Sequence, residues 1–427
     1  MSHKRKKKKS GRNIAKKILS AVFLAAALIA LVLVFLLRGN AADERIRLEN
    51  EAAAQEALEA EQKAAIEAEQ AALAVAAQST PEPTLEPTPE PEPEYFTLSF
   101  IGDNTLWATS NFENNPIGLP KTVGDDFAYP YSNTVEYFSS DEFTLANLEC
   151  SFSDEALGHD YTITMFPFLA RTDYVNILLD GGVDFVTMAN NHTMDFYEAG
   201  LKSTQATLEA AGLPYGAENQ GQIVTTPNGL KLGIWTAGND MMPNKDKAVS
   251  GVADLRAQGA DIVICMFHWG QELYYAPNDN QTSLARACID AGADIVYGSH
   301  PHCLQPIEIY NGKIIIYSAG NWVFGGNTMP SDPDTAIIQV KIKRDIDGSI
   351  SYDSFEAIPC SISSNIDGAN AKANNSDYSA YENYNDYCPT PYEPGSEGYE
   401  RAMSKLTGEF EAKSQGADYT NYYASWG

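Results

Sequence analysis

Apolar runs of strand length alternate with amphipathic stretches of helix length from Tyr95 to about residue 360. The runs YFTLSFIGD (95–103), FTLANLE (143–149), VDFVTMANN (183–191), LKLGIWTAG (230–238), ADIVICMFHWG (260–270), ADIVYGSH (293–300), GKIIIYSAG (312–320) and TAIIQVKIK (335–343) predict strands. Between them, FYEAGLKSTQATLEAAG (196–212) and NQTSLARACIDAGA (280–293) space Leu and Ala as helices do, with glycine at or near the end as a stop. Strand and helix in alternation predict a layered α/β domain.

Both ends of the chain depart from this texture. Residues 1–17 are dense in Lys and Arg, and the uncharged run ILSAVFLAAALIALVLVFLL (18–37) follows. Twenty helical residues span roughly 30 Å, the thickness of a bilayer's hydrocarbon core. The run gives way to Leu-Leu-Arg-Gly-Asn rather than a small-residue cleavage site, which favours an uncleaved transmembrane anchor over a signal peptide. The basic flank then stays in the cytoplasm and everything after Arg38 lies outside the cell. Residues 38–78, rich in Ala and Glu, predict a helical stalk. Residues 79–94, STPEPTLEPTPEPEPE, cannot enter a core and predict a stiff spacer of roughly 3 Å per residue. Residues 361–427, rich in Asn, Asp, Ser and Tyr, read as a loosely ordered tail with one short helix near Ser396 to Lys413.

Charge narrows the partners. The net charge is −28, and the basic residues crowd toward the cytoplasmic leader, so the outer domain is strongly acidic and unsuited to a nucleic-acid backbone. A polyanionic substrate would need a local cation, which a bound metal can supply. The six cysteines show no CxxC spacing that would make them a metal cluster.

Histidine is where the candidate chemistry concentrates. Of six in the chain, His192, His268, His300 and His302 each fall at or just past the end of a predicted strand, where α/β domains carry their functional loops. Asp103 follows a strand and Gly102, a position that also suits a turn or helix cap. Glu149 sits on an apolar segment, where an ionised carboxylate needs a metal or a partner such as Arg171. Asn190, Asn191 and His192 precede Asp195, which is placed to orient the imidazole. In SHPH, an extended backbone would turn His300 and His302 to the same side, with Pro301 stiffening the segment. Asp, Glu, Asn and neutral His form the N/O donor set of zinc, manganese or iron.

Taken in order, GDN, NLE, NNHTMD, HWGQE, GSHPHCLQPIE and YSAGNWVF resemble the poly-γ-glutamate capsule-synthesis proteins, a branch of the calcineurin-like metallophosphoesterases. The resemblance covers roughly Tyr95 to Pro359 and implies a four-layer αββα sandwich over residues 95–360. It implies one metal on Glu149, Asn191, His268 and His300, and another on Asp103, Glu149 and His302. It makes His192, steered by Asp195, the catalytic acid or anion stabiliser. Thr105 stands where the broader pattern has a histidine, and Glu149 replaces a bridging aspartate. The implied activity is metal-dependent hydrolysis or transfer on poly-γ-glutamate or a related anionic envelope polymer, alongside capsule synthase subunits. The alternative is a non-catalytic scaffold that holds the polymer in the same cleft. There is no Walker-type phosphate loop, so the chain does not energise polymerisation itself.

Overall fold

The computed structural model describes residues 92–108, 115–159, 166–326, 328–374 and 384–410, together with 55, 57, 60 and 62–68. The basic leader, the apolar run 18–37 and residues 79–91 of the spacer lie outside the described residues. Among the described residues no helix is long and apolar enough to cross a membrane. The chain separates into two units, Met1–Glu90 and Pro91–Gly427. In the first, residues 62–68 are helical and exposed, and Lys63 Nζ stands 4.0 Å from Glu67.

The second unit is built on two sheets. The chain first lays down β1 (Glu94–Thr105), β2 (Phe143–Leu148), the short pair β3 (Ser151–Phe152) and β4 (Leu169–Ala170), then β5 (Phe185–Thr187) and β6 (Tyr215–Gly216). It continues through β7 (Gln220–Thr225), β8 (Lys231–Ala237), β9 (Ile262–His268), β10 (Ile295–Ser299), β11 (Ile307–Tyr310) and β12 (Lys313–Ile316). It returns as β13 (Asn321–Phe324), β14 (Asp334–Arg344), β15 (Ile350–Ser361) and β16 (Thr390–Pro391). The larger sheet runs β16-β15-β14-β1-β2-β5-β6 with β13 against β1, and the smaller runs β11-β12-β10-β9-β8-β7.

Period-two alternation decides which way each strand faces. Ile262, Ile264 and Met266 of β9 turn inward, where they meet Phe96, Leu98 and Phe100 of β1 in the core between the sheets. Val263, Cys265 and Phe267 turn outward onto Val252 and Leu255 of the helix Lys245–Ala257 and Leu284 and Cys288 of the helix Asp279–Asp290. On the far side, Ile101 and Ala146 face Ile177 and Leu178 of the helix Val175–Asp180 and Leu208 of the helix Tyr197–Ala211. The result is four layers, helix, sheet, sheet and helix, and it explains why these strands read as unbroken apolar runs: both faces are covered. All eight predicted strands and both predicted helices form. The helix Lys245–Ala257, its start capped by the Asn244 side chain on Lys247 N, is an addition to that reading.

The reading of the C-terminal segment needs correction. Residues 384–410 are packed, not loosely ordered: β16 joins the larger sheet, and the expected short helix forms as Glu397–Thr407 and sends Ala402 and Leu406 into the inter-sheet core, while residues 375–383 and 411–427 lie outside the described residues. Tyrosine made the segment look polar, yet Tyr384, Tyr387 and Tyr392 are buried and pass their hydroxyls to Pro330 O (2.8 Å), Ile117 O (3.0 Å) and Asp334 Oδ1 (2.8 Å). Lys405, 2% exposed, reaches Asp332 (2.7 and 2.8 Å) and Asp334 (2.7 Å), and Arg401 forks onto Asp334 (2.8 and 2.7 Å). The six thiols are free and buried.

This buried ion network ties the C-terminal helix to the start of β14. Removing one partner strands the others without compensation, so Lys405→Met should lower unfolding free energy by about 3–5 kcal/mol. Urea denaturation of the two proteins measures it, and an unchanged midpoint would mean that the network does not secure the helix.

Candidate metal centre

Parallel strands of both sheets end at one place. Asp103 is at the end of β1, Glu149 just past β2, Asn191 and His192 past β5, His268 at the end of β9, and His300 and His302 past β10. Tyr297 of β10 donates its hydroxyl to Ile101 O of β1 at 2.7 Å, a buried bond across the two sheets. Gly102 is required here: a Cβ on it would lie 2.2 Å from Gly320 O, and that close approach lets Asp103 N bond Gly320 O at 2.9 Å.

Glu149 is the centre of the cluster. It is fully buried and neither carboxylate oxygen has a hydrogen-bond partner. Arg171 is not its partner, because that guanidinium is held by Asp125 (2.8 Å) and Asp173 (3.0 Å). Ring nitrogens of His268, His302 and His192 instead stand 3.5, 3.7 and 3.9 Å from Glu149 Oε1.

One donor set gathers around His268 Nε2, with Asn191 Oδ1 at 2.6 Å, His300 Nδ1 at 3.1 Å and Glu149 Oε1 at 3.5 Å. Ser299 Oγ donates to Phe267 O (3.2 Å), so it accepts the proton on His268 Nδ1 (2.9 Å), and Nε2 is left with its lone pair. A lone pair facing two oxygens is an arrangement that a cation resolves. Ligands 2.0–2.2 Å from one ion stand roughly 3–3.5 Å from one another in tetrahedral geometry, so the His300 and Glu149 separations fit and Asn191 Oδ1 would have to draw back from His268.

The second set is Asp103, Glu149 and His302, whose ligand atoms lie within 4.8 Å of one another. His302 Nδ1 is 3.3 Å from Asp103 Oδ2 and 2.9 Å from Asn321 Oδ1. A ladder of amides stands behind it: Asn147 Nδ2 donates to Asp103 Oδ1 (2.9 Å), and Asn190 Nδ2 donates to Asn147 Oδ1 (3.1 Å) and Leu148 O (2.7 Å). Asn147 and Asn321 escaped the sequence reading. Their signal was an amide inside an apolar strand, a group that must find partners when buried.

His192 belongs to neither donor set. Asp195 Oδ2 accepts from Phe168 N (3.0 Å) and from His192 Nδ1 (2.9 Å), which aims Nε2 at the Glu149 side of the cluster. Phe168 lies against the imidazole, ring centres 4.7 Å apart.

The structure gathers every predicted ligand but corrects the reason for one pair. His300 and His302 do not alternate along an extended segment, since β10 ends at Ser299 and both residues have left-handed backbones, φ 95° and 52°. A tight loop, not strand periodicity, makes them converge.

Burial sets the charge states. It drives the His268 imidazole well below the usual histidine range, with His300 and His302 adding to the effect. Burial and then the His302 charge bring His300 down to about 3. On His302 burial also pulls downward, but the Glu149 charge and the Asp103 hydrogen bond outweigh it and push the group up to about 10. Burial raises Glu149 well above the carboxylate range, against the pull of His302. Glu149 and His302 therefore compete for one proton, and a divalent ion is the natural replacement for it.

A family model described as bacterial capsule synthesis protein PGA_cap matches residues 97–326. The "PGA biosynthesis protein CapA" of Bacillus subtilis is 35% identical over 208 residues, 44% of this chain and 53% of that protein. The "Capsule biosynthesis protein CapA" of Bacillus anthracis is 26% identical over 276 residues, 59% and 65% of the two chains. A "Probable polyglutamine synthesis accessory protein" of Mycobacterium tuberculosis is 31% identical over 168 residues, 32% and 44%. The chain thus spans 53% and 65% of the length of the two Bacillus relatives. Overlap with solved structures is loose: the NAD nucleotidase of Haemophilus influenzae gives a TM-score of 0.40 at 12% identity, covering 64% of this chain and 53% of that one.

If the donor sets take up an ion, that ion stabilises the fold. Mn²⁺ at a hundredfold excess over its Kd should raise unfolding free energy by about 2.7 kcal/mol. Glu149→Gln should lose most of that gain, as read from denaturation with and without Mn²⁺, and an equal gain in the variant would rule out Glu149 as a ligand.

Proposed function

The chain belongs to the bacterial capsule synthesis protein family, and from that premise we propose that it is a membrane-anchored protein of capsule synthesis with a metallophosphatase-like domain outside the cell. In this reading the cluster holds one or two divalent ions, manganese, zinc or iron, and hydrolyses or transfers poly-γ-glutamate or a related anionic envelope polymer. The names of the Bacillus relatives support the capsule context. The uncharged run 18–37 after a basic leader supports the anchor and the outside location of the domain.

The observation that carries the proposal is the Glu149 carboxylate, buried, without a hydrogen bond and facing three imidazoles. A fully buried ionised carboxylate is otherwise very costly. When bound, a divalent ion supplies Lewis-acid polarisation of the reacting carbonyl or phosphoryl group and lowers the pKa of water to near neutrality.

The protein's own groups do the rest. A cavity of about 180 Å³ opens over the cluster, lined by Phe168, His192, Glu272, His302, Asn321 and Phe324 among others, with no lysine or arginine among the described residues of its wall. It takes one reacting group, so a polymer lies across the mouth. His192 Nδ1 is bonded to Asp195, so Nε2 is the atom that exchanges a proton with the leaving group or the developing anion. Asp195, itself pinned by the Phe168 amide, fixes the ring and its tautomer. Asn321 holds His302 Nδ1, which turns Nε2 toward Glu149.

A second reading, a non-catalytic subunit that holds polymer or capsule synthase partners, is favoured by one observation. Thr105 brings no nitrogen to the Asp103 side, and its buried hydroxyl has no hydrogen-bond partner. The two readings separate at His192. Wild-type chain with Mn²⁺ should cleave poly-γ-glutamate or a model phosphodiester, followed by mass spectrometry. His192→Ala should lower kcat by about 10²- to 10⁴-fold with its metal content unchanged. Capsule production that survives His192→Ala in the cell would instead favour the scaffold.

A further inference from the structure

The Asp103–Glu149–His302 position is poor in donors. It has one nitrogen and two carboxylates, and Glu149 is shared with the His268 side. Zinc, manganese and iron take four or more donors, and Asp195, another acid close by, is already engaged by His192 and the Phe168 amide.

A further carboxylate stands on the cavity side. Glu272 brings an oxygen within 4.8 Å of a ring nitrogen of each of His300 and His302, and it lines the same cavity. Its loop is fixed on both flanks. Trp269 N bonds Ser299 O (3.1 Å), Leu273 N bonds Pro301 O (2.7 Å), and Gln305 Nε2 bonds Tyr274 O (2.7 Å). The loop is therefore tied at three points to the segment 299–305 that carries both histidines.

We propose that Glu272 is a metal ligand, holding an ion from the cavity side together with His300 and His302, while His302 also belongs to the Asp103–Glu149 group behind it. The inference rests on the metal-dependent reading given above. Charge argues the same way: two divalent ions bring four positive charges to a site where Asp103 and Glu149 carry two negative ones, at low dielectric. A third carboxylate at the mouth offsets part of the excess.

Glu272 is exposed, so its replacement leaves the fold intact. The test uses full-length chain and Mn²⁺ alone, with stoichiometry from calorimetry and elemental analysis and ion pairing from electron paramagnetic resonance. Wild type should bind two Mn²⁺ as a spin-coupled pair. Glu272→Gln should keep the tighter ion at nearly wild-type affinity, lose roughly tenfold or more in affinity for the other, and show an isolated-ion spectrum. The proposal is overturned if the variant binds both ions as wild type does, or if wild type binds fewer than two. Turnover is read separately: a wild-type protein that holds two Mn²⁺ and cleaves nothing removes the hydrolase reading and leaves the role of Glu272 standing.

Discussion

A carboxylate buried with no hydrogen bond to either oxygen is the constraint around which this domain is arranged. Left ionised and alone, Glu149 would be among the most expensive groups in the protein. Left protonated, it would give up the charge that makes its three imidazole neighbours useful. The surrounding structure maintains the tension: amide side chains occupy Asp103 and one another, Ser299 takes the His268 Nδ1 proton, and Asp195 takes that of His192. Each of these bonds satisfies the back of a group and leaves its front facing Glu149.

The two-sheet architecture makes that convergence available. Parallel strands in each sheet bring their carboxyl ends to the same edge, so residues far apart in sequence meet without long loops. Only short excursions past the strands are needed. Where the required direction is not that of a strand, the backbone adopts left-handed conformations at His300 and His302. Such conformations are unfavourable for non-glycine residues, and they persist where surrounding bonds fix them, here through Pro301 O and Leu273 N.

Strand content and the main donors were legible because both rest on short-range pattern. Apolar runs covered on both faces announce β1, β9 and β12, and a polar residue at the end of such a run announces Asp103 or His268. What escaped the sequence depends on partners distant in the chain. Asn321 matters because β13 pairs in parallel with β1 in a register that sets it opposite Asp103. Residues after Ser361 look like a solvated tail until their tyrosines are seen to bury rings and hand each hydroxyl to an acceptor elsewhere in the fold. The histidines of SHPH converge by a bent loop and not by strand alternation, since an i, i+2 pair meets equally well on a loop bent at both residues.

The acidity of the chain gains a different meaning from this arrangement. A net charge of −28, with no lysine or arginine among the described residues of the cavity wall, gives an anionic polymer little reason to enter. On the proposed reading the positive charge arrives with the ion. Ion and polymer then bind with mutual favour, and thermodynamic linkage requires the effect to be reciprocal: whatever affinity the ion lends to the polymer, the polymer lends to the ion. On that reading an acidic surface would keep the unloaded protein from holding polymer, and a bound ion would confine attraction to the cluster at the strand ends. On the same reading, where the protein would act on a polymer is set by geometry at the strand ends and not by a basic track among the described residues.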